Sequence, residues 1–280
     1  MLVGDTAQLA EIHAGGLFAS LARRLNPAVL TKNRRQYDAE ERNIAWQLRQ
    51  RATSDAVSSM QRHGRITTAP TPDTIRKVLV HDWLEHRTAG HDTLMIAAHR
   101  ATVTDLNHRA RQALRDDLRL GPDITTINGL PFAIGDQVLA HHNDYRLGIL
   151  NGDRATVIGA TKHTLAVEMS DGRHLRIPHR YIEAGHLTHG YATTVHKAQG
   201  MTCDATFLLG DDGLYAELGY TGLSRGRDTN RLYAVAGAWD TKPGKALDPL
   251  EHVRAALASS HAQTAAIDVE PVSHSHGIRR

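Results

Sequence analysis

The stretch Tyr191-Ala192-Thr193-Thr194-Val195-His196-Lys197-Ala198-Gln199-Gly200-Met201-Thr202 decides how this chain is read. It sets hydroxyl, imidazole, ammonium and amide side chains within a few residues and closes on a glycine. Such groups hold sugar-phosphate without reading bases; the plainer alternative is a polar loop with Gly200 as a helix cap. On its C-terminal side, Ala205 to Leu209 has the apolar composition of a buried strand. A helix is expected near Leu214 to Leu223, then a strand from Leu232 to Ala236. Tyr220-Thr221-Gly222-Leu223-Ser224-Arg225-Gly226-Arg227 leads into that last strand and carries two arginines.

The same alternation extends toward the N-terminus. Thr93 to Ala98 forms a compact apolar strand, followed by a helix through Leu106, Ala110, Ala113, Leu114 and Leu118. Thr71-Pro72 opens an earlier helix, with threonine as cap and proline in the first turn. A long polar helix is expected from about Ala39 to His63, and a short strand at Ala28-Val29-Leu30 that ends in Lys32-Asn33-Arg34-Arg35. Leu17, Phe18, Leu21 and Leu25 recur at helical spacing up to Asn26-Pro27, and Met1 to Gly4 reads as a strand end running into Asp5-Thr6-Ala7-Gln8-Leu9. Strand and helix in turn imply an α/β fold around a parallel sheet.

Between about Phe132 and Pro178 the texture changes. Turn signals crowd together at Gly135-Asp136, Asn143-Asp144, Asn151-Gly152-Asp153 and Asp171-Gly172. Leu165, Val167 and Met169 alternate before Asp171-Gly172, and Leu175 and Ile177 after it, which predicts a hairpin with a two-residue turn. Several short strands in this span predict a small barrel inserted into the α/β domain. From Trp239 onward a short amphipathic helix (Leu250, Val253, Leu257) gives way to a polar tail, expected to be disordered.

Composition excludes several classes. The 280 residues are 41% hydrophobic and 22% charged, ordinary for a globular protein with a sizeable core. No apolar run is long enough to span a bilayer. The single cysteine, Cys203, rules out a disulfide framework and a cysteine-based zinc site, which makes a reducing cytoplasm the expected compartment. Nineteen histidines are scattered without metal-ligand spacing, so no metal site is expected. The net charge is +3, and Lys32, Lys77, Lys162, Lys197, Lys242 and Lys245 are the only lysines among 33 basic residues. The arginine excess suits phosphate binding but equally suits a GC-rich genome.

In order along the chain, Gly4 to Leu9, Leu30 to Gln36, Tyr191 to Thr202 and Tyr220 to Arg227 resemble motifs III, IV, V and VI of superfamily 1 helicases. The branch they resemble is the RecD-like one shared with TraA/TrwC-type conjugative relaxases. Gly135-Asp136-Gln137-Val138 and Leu150-Asn151-Gly152-Asp153 resemble that branch's SH3-like barrel. The resemblance covers about Leu2 to Val235 and implies a RecA-like second motor domain at 28–130 and 190–238, with the barrel at 131–189. It makes 1–27 the end of the first motor domain and leaves 239–280 as a helix and tail.

It further implies roles. Gln8 would orient the attacking water, and Arg35 and Arg225 would act as arginine fingers on ATP. Gly4, Asp5 and Gly200 would complete the nucleotide contacts with these three, while Thr194, His196, Lys197 and Gln199 would touch single-stranded DNA, with 5′ to 3′ travel implied. Phosphoryl transfer suits such parts, because it is catalysed mainly by positioning and charge neutralisation. Each arginine could also be an ordinary exposed charge paired with a carboxylate. Thr202 stands where many relatives carry a glutamate, which leaves a nucleotide contact there without support.

No Gly-x4-Gly-Lys-Ser/Thr loop occurs to cradle the triphosphate and Mg2+. The decoy from Gly237 to Ala246 separates its glycines by six residues, places Pro243 where an N–H donor is needed and ends in Ala246, which cannot ligate a metal. Leu208-Leu209-Gly210-Asp211-Asp212 mimics an acidic strand end but falls between motifs V and VI. The expectation is a truncated, split or excerpted protein. It would bind ATP and Mg2+ only together with an N-terminal helicase or relaxase half, and would act with that half or with conjugation proteins. Two alternatives stand beside it: a non-enzymatic remnant that binds single-stranded DNA or a partner protein, and an unrelated α/β nucleotide-binding protein in which the barrel has no place.

Overall fold

The computed structural model describes residues 2–9, 17–25, 27–30, 32–236 and 249–261. In chain order the elements are α1 (Leu17–Leu25), α2 (Ala39–Arg49), α3 (Thr53–Arg62), β1 (Ile66–Ala69), α4 (Pro72–Thr88), β2 (Thr93–Ala97) and α5 (Arg100–Asp116). Then come β3 (Asp123–Ile127), β4 (Leu130–Ala133), β5 (Gln137–Ala140), β6 (Arg154–Ala160), β7 (Thr164–Met169), β8 (His174–Pro178), α6 (His179–Glu183) and β9 (Leu187–His189). The last are β10 (Ala192–Thr194), α7 (Val195–Ala198), β11 (Cys203–Gly210), α8 (Ala216–Gly222), β12 (Gly226–Val235) and α9 (Pro249–Ala258). No helix among the described residues is long and apolar enough to cross a membrane.

Five strands form an all-parallel sheet in the order β1-β12-β11-β2-β10. β2, β11 and the C-terminal part of β12 are apolar on both faces because helices cover both. Leu94, Ile96, Leu208, Leu232 and Ala234 pack with α2, α3, α8 and α9 in one core, which includes Leu48, Met60, Leu218 and Leu257. Their neighbours Met95, Ala97, Phe207, Leu209 and Tyr233 point the other way, onto α4 and α5, with Leu79, Trp83, Leu106 and Ala110. The period-2 alternation of side chains assigns each residue to its core.

Local signals explain the helix ends. Thr71 Oγ1 accepts from Thr74 N at 3.1 Å, and Pro72 follows at the first turn, the start expected for α4. The polar stretch expected as one helix from Ala39 to His63 is instead two. Arg51 takes φ +62 between them, the left-handed region that ends a helix, and its guanidinium bonds Glu217 Oε1 at 2.5 Å. The strand expected at Ala28 to Leu30 forms no ladder, and neither do residues 2–4. Leu2, Val3, Val29 and Leu30 are exposed, with no strand among the described residues to pair them. The expected tail beyond Trp239 lies outside the described residues except for 249–261, where α9 forms as its apolar spacing predicts.

The segment between α5 and β10 builds a second sheet instead of extending the first. β3 and β4 form a hairpin, and β8-β7-β6-β5-β9 form an antiparallel sheet with its own apolar core of Phe132, Val138, Val157, Leu165, Val167 and Ile177. Val167 pairs with Leu175 inside this sheet. The hairpin between β7 and β8 has a three-residue loop, Ser170-Asp171-Gly172, where two residues were expected. Gly172 N donates to Met169 O at 2.9 Å and Met169 N to Arg173 O at 2.8 Å, and Gly172 takes φ +82 as the bulge residue that such loops require. No ladder joins β8 to β9, so the sheet is open in its hydrogen bonding.

One buried carboxylate fastens the two sheets together. Asp136, fully buried at 0% exposure, accepts from Arg111 Nε at 3.1 Å, from Ala133 N at 2.6 Å and from the Tyr191 hydroxyl at 2.6 Å. Arg111 also pairs with Asp123 at the start of β3. Burial, and then the Asp136 charge, push the Tyr191 phenol well above its usual range, so it stays a donor. Asn107 Oδ1 accepts from Tyr191 N at 3.0 Å and Ala192 N at 2.9 Å, which sets the entry of β10. Asp136→Ala should lower the unfolding free energy by about 3–5 kcal/mol, since it leaves the Arg111 Nε–H, the Ala133 N–H and the Tyr191 hydroxyl without their buried acceptor. Asp123→Ala, at a partly exposed site, should cost less than about 1 kcal/mol. Urea denaturation of both variants measures the contrast, and equal losses would refute the role given to Asp136.

Candidate functional site

Four separated segments meet at the turn between α8 and β12. Arg225, only 1% exposed, donates from Nε to Thr221 O at 2.8 Å and from Nη2 to Ser224 Oγ at 2.7 Å. Arg35 reaches in from the other side and donates from Nη1 to Ser224 O at 2.8 Å. Gln36 Nε2 donates to Ser224 O at 3.2 Å and Gly226 O at 2.9 Å, so the loop that carries Arg35 is pinned to the same turn. Gly226 is required here, because a Cβ would lie 2.3 Å from Thr229 O. Behind the turn, buried Asn230 accepts from Gly226 N at 2.8 Å and donates to Glu41 Oε2 at 2.9 Å, and Glu41 in turn accepts from Arg65 Nε at 2.7 Å.

Neither Arg35 nor Arg225 has a carboxylate within ion-pair distance among the described residues. Burial, reinforced by the neighbouring Arg35 charge, lowers the Arg225 guanidinium to about 10, and burial lowers that of Arg35. Both remain charged at neutral pH. Two close guanidiniums without a counter-charge repel each other, and a bound polyanion would relieve that cost.

The Asp5 turn closes over this pair. Asp5 Oδ2 accepts from the Tyr220 hydroxyl at 2.8 Å, Leu9 N donates to Thr221 Oγ1 at 3.2 Å, and Gln199 Nε2 donates to Leu9 O at 3.4 Å. Asp5 also lies 3.3 Å from Arg49 Nε. Asp5, Arg35 and Arg225 are therefore gathered around Tyr220 to Ser224, with Asp5 serving as the anchor for Tyr220. Gln8 is half-buried in the same turn, its N–H donating to Asp5 O at 3.1 Å. Gly4 lets the backbone pass 3.0 Å from the Phe18 ring, measured from where a Cβ would sit, and Gly200 takes φ +90 just after α7; both contribute backbone shape.

A second feature lies on the far side of α7. A cavity of about 710 Å³ opens between α5, the β3–β4 hairpin and the antiparallel sheet. Of the four candidate strand-contacting residues, Thr194 and Lys197 line it, while His196 and Gln199 are exposed and do not. Thr194 caps α7 by accepting from Lys197 N at 3.4 Å. Arg100, His141 and Thr188 also line the cavity, and the sequence reading did not single them out. Arg100 opens α5 in an unremarked Ala-Ala-His-Arg run, and His141 meets Lys197 across 56 residues of chain, so no local pattern marks either.

The acidic strand end is tied up in hydrogen bonds. His99 Nε2 lies 3.1 Å from Asp212 Oδ1, and Asp211 accepts from Thr102 Oγ1 at 3.4 Å. His99, Asp211 and Asp212 bring ligand-type atoms within 4.8 Å of one another, but His99 and Asp212 are mostly exposed and already partnered.

Residues 1–71 match the AAA domain family model, and residues 189–233 match the UvrD-like helicase C-terminal domain. Among solved structures, that of Bacteroides Pif1 bound to ssDNA aligns with 82% of this chain and 60% of its own, at a TM-score of 0.53 and 18% identity, which shows a shared fold. A probable conjugal transfer protein TraA of Sinorhizobium fredii is 30% identical over 87% of this chain, and the conjugal transfer protein TraA of Rhizobium radiobacter is 32% identical over 83%. The chain spans 22% of the length of each of these two relatives. Over more than four-fifths of its residues the chain is homologous to the TraA conjugal transfer proteins, with an AAA-domain match at residues 1–71 and a UvrD-like helicase C-terminal match at residues 189–233.

Proposed function

We propose that this chain is the C-terminal motor half of an ATP-dependent helicase or translocase acting on single-stranded DNA, as in conjugative relaxase-helicases. The observation that carries the reading is the pair Arg35 and Arg225, converging on Ser224 with no carboxylate partner among the described residues. Two fixed guanidiniums suit the charge that develops on a γ-phosphate. Gln8, on the turn that packs against them, suits the orientation of water. ATP with Mg2+ would be held together with a phosphate-cradling loop from a separate segment, because the sequence contains no such loop. Bound nucleotide would draw that segment onto the arginines, and closure conditional on nucleotide would turn hydrolysis into stepping.

In this reading residues 28–130 and 190–238 are the second RecA-like domain, residues 1–27 end the first, and 131–189 are an SH3-like barrel. A separate apolar core and an antiparallel order support the last assignment. The working compartment is the cytoplasm. The partners are single-stranded DNA and the N-terminal helicase or relaxase half. Binding of a strand without hydrolysis is the second reading, favoured by the missing phosphate loop together with a cationic cavity that does not depend on it.

The chain alone should hydrolyse no ATP in response to DNA. With a P-loop-bearing segment of a TraA relative supplied in trans, Gln8→Ala, Arg35→Ala and Arg225→Lys should each lower turnover by about 100-fold or more. Arg225→Lys keeps a buried cation, so circular dichroism separates a folding defect from a lost finger. Turnover by the isolated chain that disappears in Arg225→Lys would overturn the two-part reading.

The strand reading has its own measurement. Labelled oligothymidine and a mixed-sequence oligonucleotide should bind alike, at about micromolar affinity or weaker, and the affinity should fall as salt rises. Joint replacement of His196 and Lys197 by alanine should weaken both equally, since backbone contacts carry no sequence information. No binding at low salt would refute the strand reading.

A further inference from the structure

Lys197 has one hydrogen-bond partner for its ammonium among the described residues. Its Nζ lies 2.8 Å from His141 Nδ1, at the end of β5. On the other side of the ring, His141 Nε2 lies 2.7 Å from Thr188 Oγ1, and Thr188 Oγ1 lies 3.2 Å from His189 O. A lysine ammonium only donates and a carbonyl only accepts, so the chain of bonds has one solution. Lys197 donates to Nδ1, the Nε2–H donates to Thr188, and the Thr188 hydroxyl donates to the carbonyl of β9. That solution requires a neutral imidazole with its proton on Nε2. Burial, followed by the charges of Lys197, Arg100 and His186, lowers the His141 imidazole to about 4, so the neutral ring persists at physiological pH. The His141 backbone is held as well, its N–H donating to His186 O at 2.8 Å.

Lys197 opens on the cavity that Arg100 and Thr194 also line. Neither Lys197 nor Arg100 pairs with a carboxylate among the described residues. Both line this cavity, and burial, and then the Arg100 charge, depress the Lys197 ammonium. Deeper in the same wall, Thr193 is 2% exposed and its Oγ1 has no hydrogen-bond partner. An ammonium with two donors unspent, an exposed guanidinium and an unpartnered buried hydroxyl suit an anion joined to a polar ring, the make-up of a nucleotide unit in a strand.

We propose that Lys197 and Arg100 form a phosphodiester subsite for single-stranded DNA at the mouth of this cavity, and that His141, from the antiparallel sheet, is the positioning residue that holds Lys197 in it. The phosphodiester half rests on the strand-binding reading above; the His141 contact does not. The inserted sheet thereby acts on the DNA-contacting loop through one hydrogen bond, without touching the strand itself at this point.

A double-mutant cycle on the full 280-residue chain tests the proposal, with oligothymidine affinity read by fluorescence anisotropy. Lys197→Ala and Arg100→Ala should each weaken binding about tenfold, as expected for a charged hydrogen bond. His141→Ala should weaken it about fivefold in the parent chain and not at all in the Lys197→Ala background, the signature of coupled residues. His141→Asn, whose side-chain carbonyl can accept where Nδ1 did, should recover most of the loss. Equal losses from His141→Ala in both backgrounds would overturn the positioning role. Nitrogen-15 NMR of the His141 ring judges the same contact without DNA. An unprotonated Nδ1 at pH 6, and a pKa that rises in Lys197→Ala, support it; a ring that titrates normally and ignores Lys197→Ala overturns it. If the parent chain binds no strand, the phosphodiester subsite falls, and the NMR result alone decides the His141 contact.

Discussion

Asp136 is the constraint on which the rest of the molecule depends. A carboxylate with no exposure is tolerable only if its lone pairs are filled, and they are filled from three elements. Arg111 comes from α5 of the parallel-sheet unit, Ala133 from the β3–β4 hairpin, and Tyr191 from the threshold of β10. Moving the inserted sheet would strip donors from Asp136, and moving β10 would remove the Tyr191 hydroxyl. Asn107 adds a second clamp on the same strand, and Trp83 and Arg87 pack on the Tyr191 ring, with centroid distances of 5.6 and 5.7 Å. The segment that emerges from this clamp is Thr194 to Gln199. The loop that carries the candidate DNA contacts is thus anchored at its root by a fully buried carboxylate, and both sheets share that anchor.

A second physical theme is the handling of positive charge. Most arginines are neutralised in ordinary ways: Arg65 by Glu41, Arg51 by Glu217, Arg154 by Asp92, Arg227 by Asp204. Of the arginines without a carboxylate among the described residues, Arg35, Arg225 and Arg100 stand in sites shared with another cation. Arg35 and Arg225 converge on Ser224, and Arg100 lines the same cavity as Lys197. Burial first, and then neighbouring positive charge, lowers Arg225 and Lys197 alike. The pairs lie on different sides of the α7 segment, one at the α8–β12 turn and one at the cavity mouth. Gln199, hydrogen-bonded to Leu9 O, connects the loop of the second site to the Asp5 turn beside the first.

Much of this was legible in the linear sequence, because it rests on short-range physics. Compact apolar runs marked β2, β11 and the end of β12, helical spacing marked α4 and α5, and the Thr71-Pro72 start was readable from cap chemistry alone. The crowded turn residues after Phe132 marked a change of architecture, and alternation around Asp171-Gly172 marked the β7–β8 hairpin. Arg35, Arg225, Thr194 and Lys197 stood out because their motifs are contiguous. Other features depended on partners far away in sequence. Arg51, at the break between α2 and α3, bonds Glu217, 166 residues on, and Leu30 forms no strand because a strand exists only by pairing. The open order of the antiparallel sheet, with no bond between β8 and β9, likewise depends on long-range register. His141 reads as one of nineteen scattered histidines until the fold brings it to Lys197 and Thr188, and Asp136 reads as a turn aspartate until Arg111 and Tyr191 close over it. The sequence by itself therefore determined the central strands β2, β11 and β12, the helices α4 and α5 and which short motifs carry charge, since these follow from neighbours a few residues apart. Only the tertiary structure decided which charges remain unpaired and which imidazole stays neutral, because desolvation and counter-charge are properties of the packed surroundings.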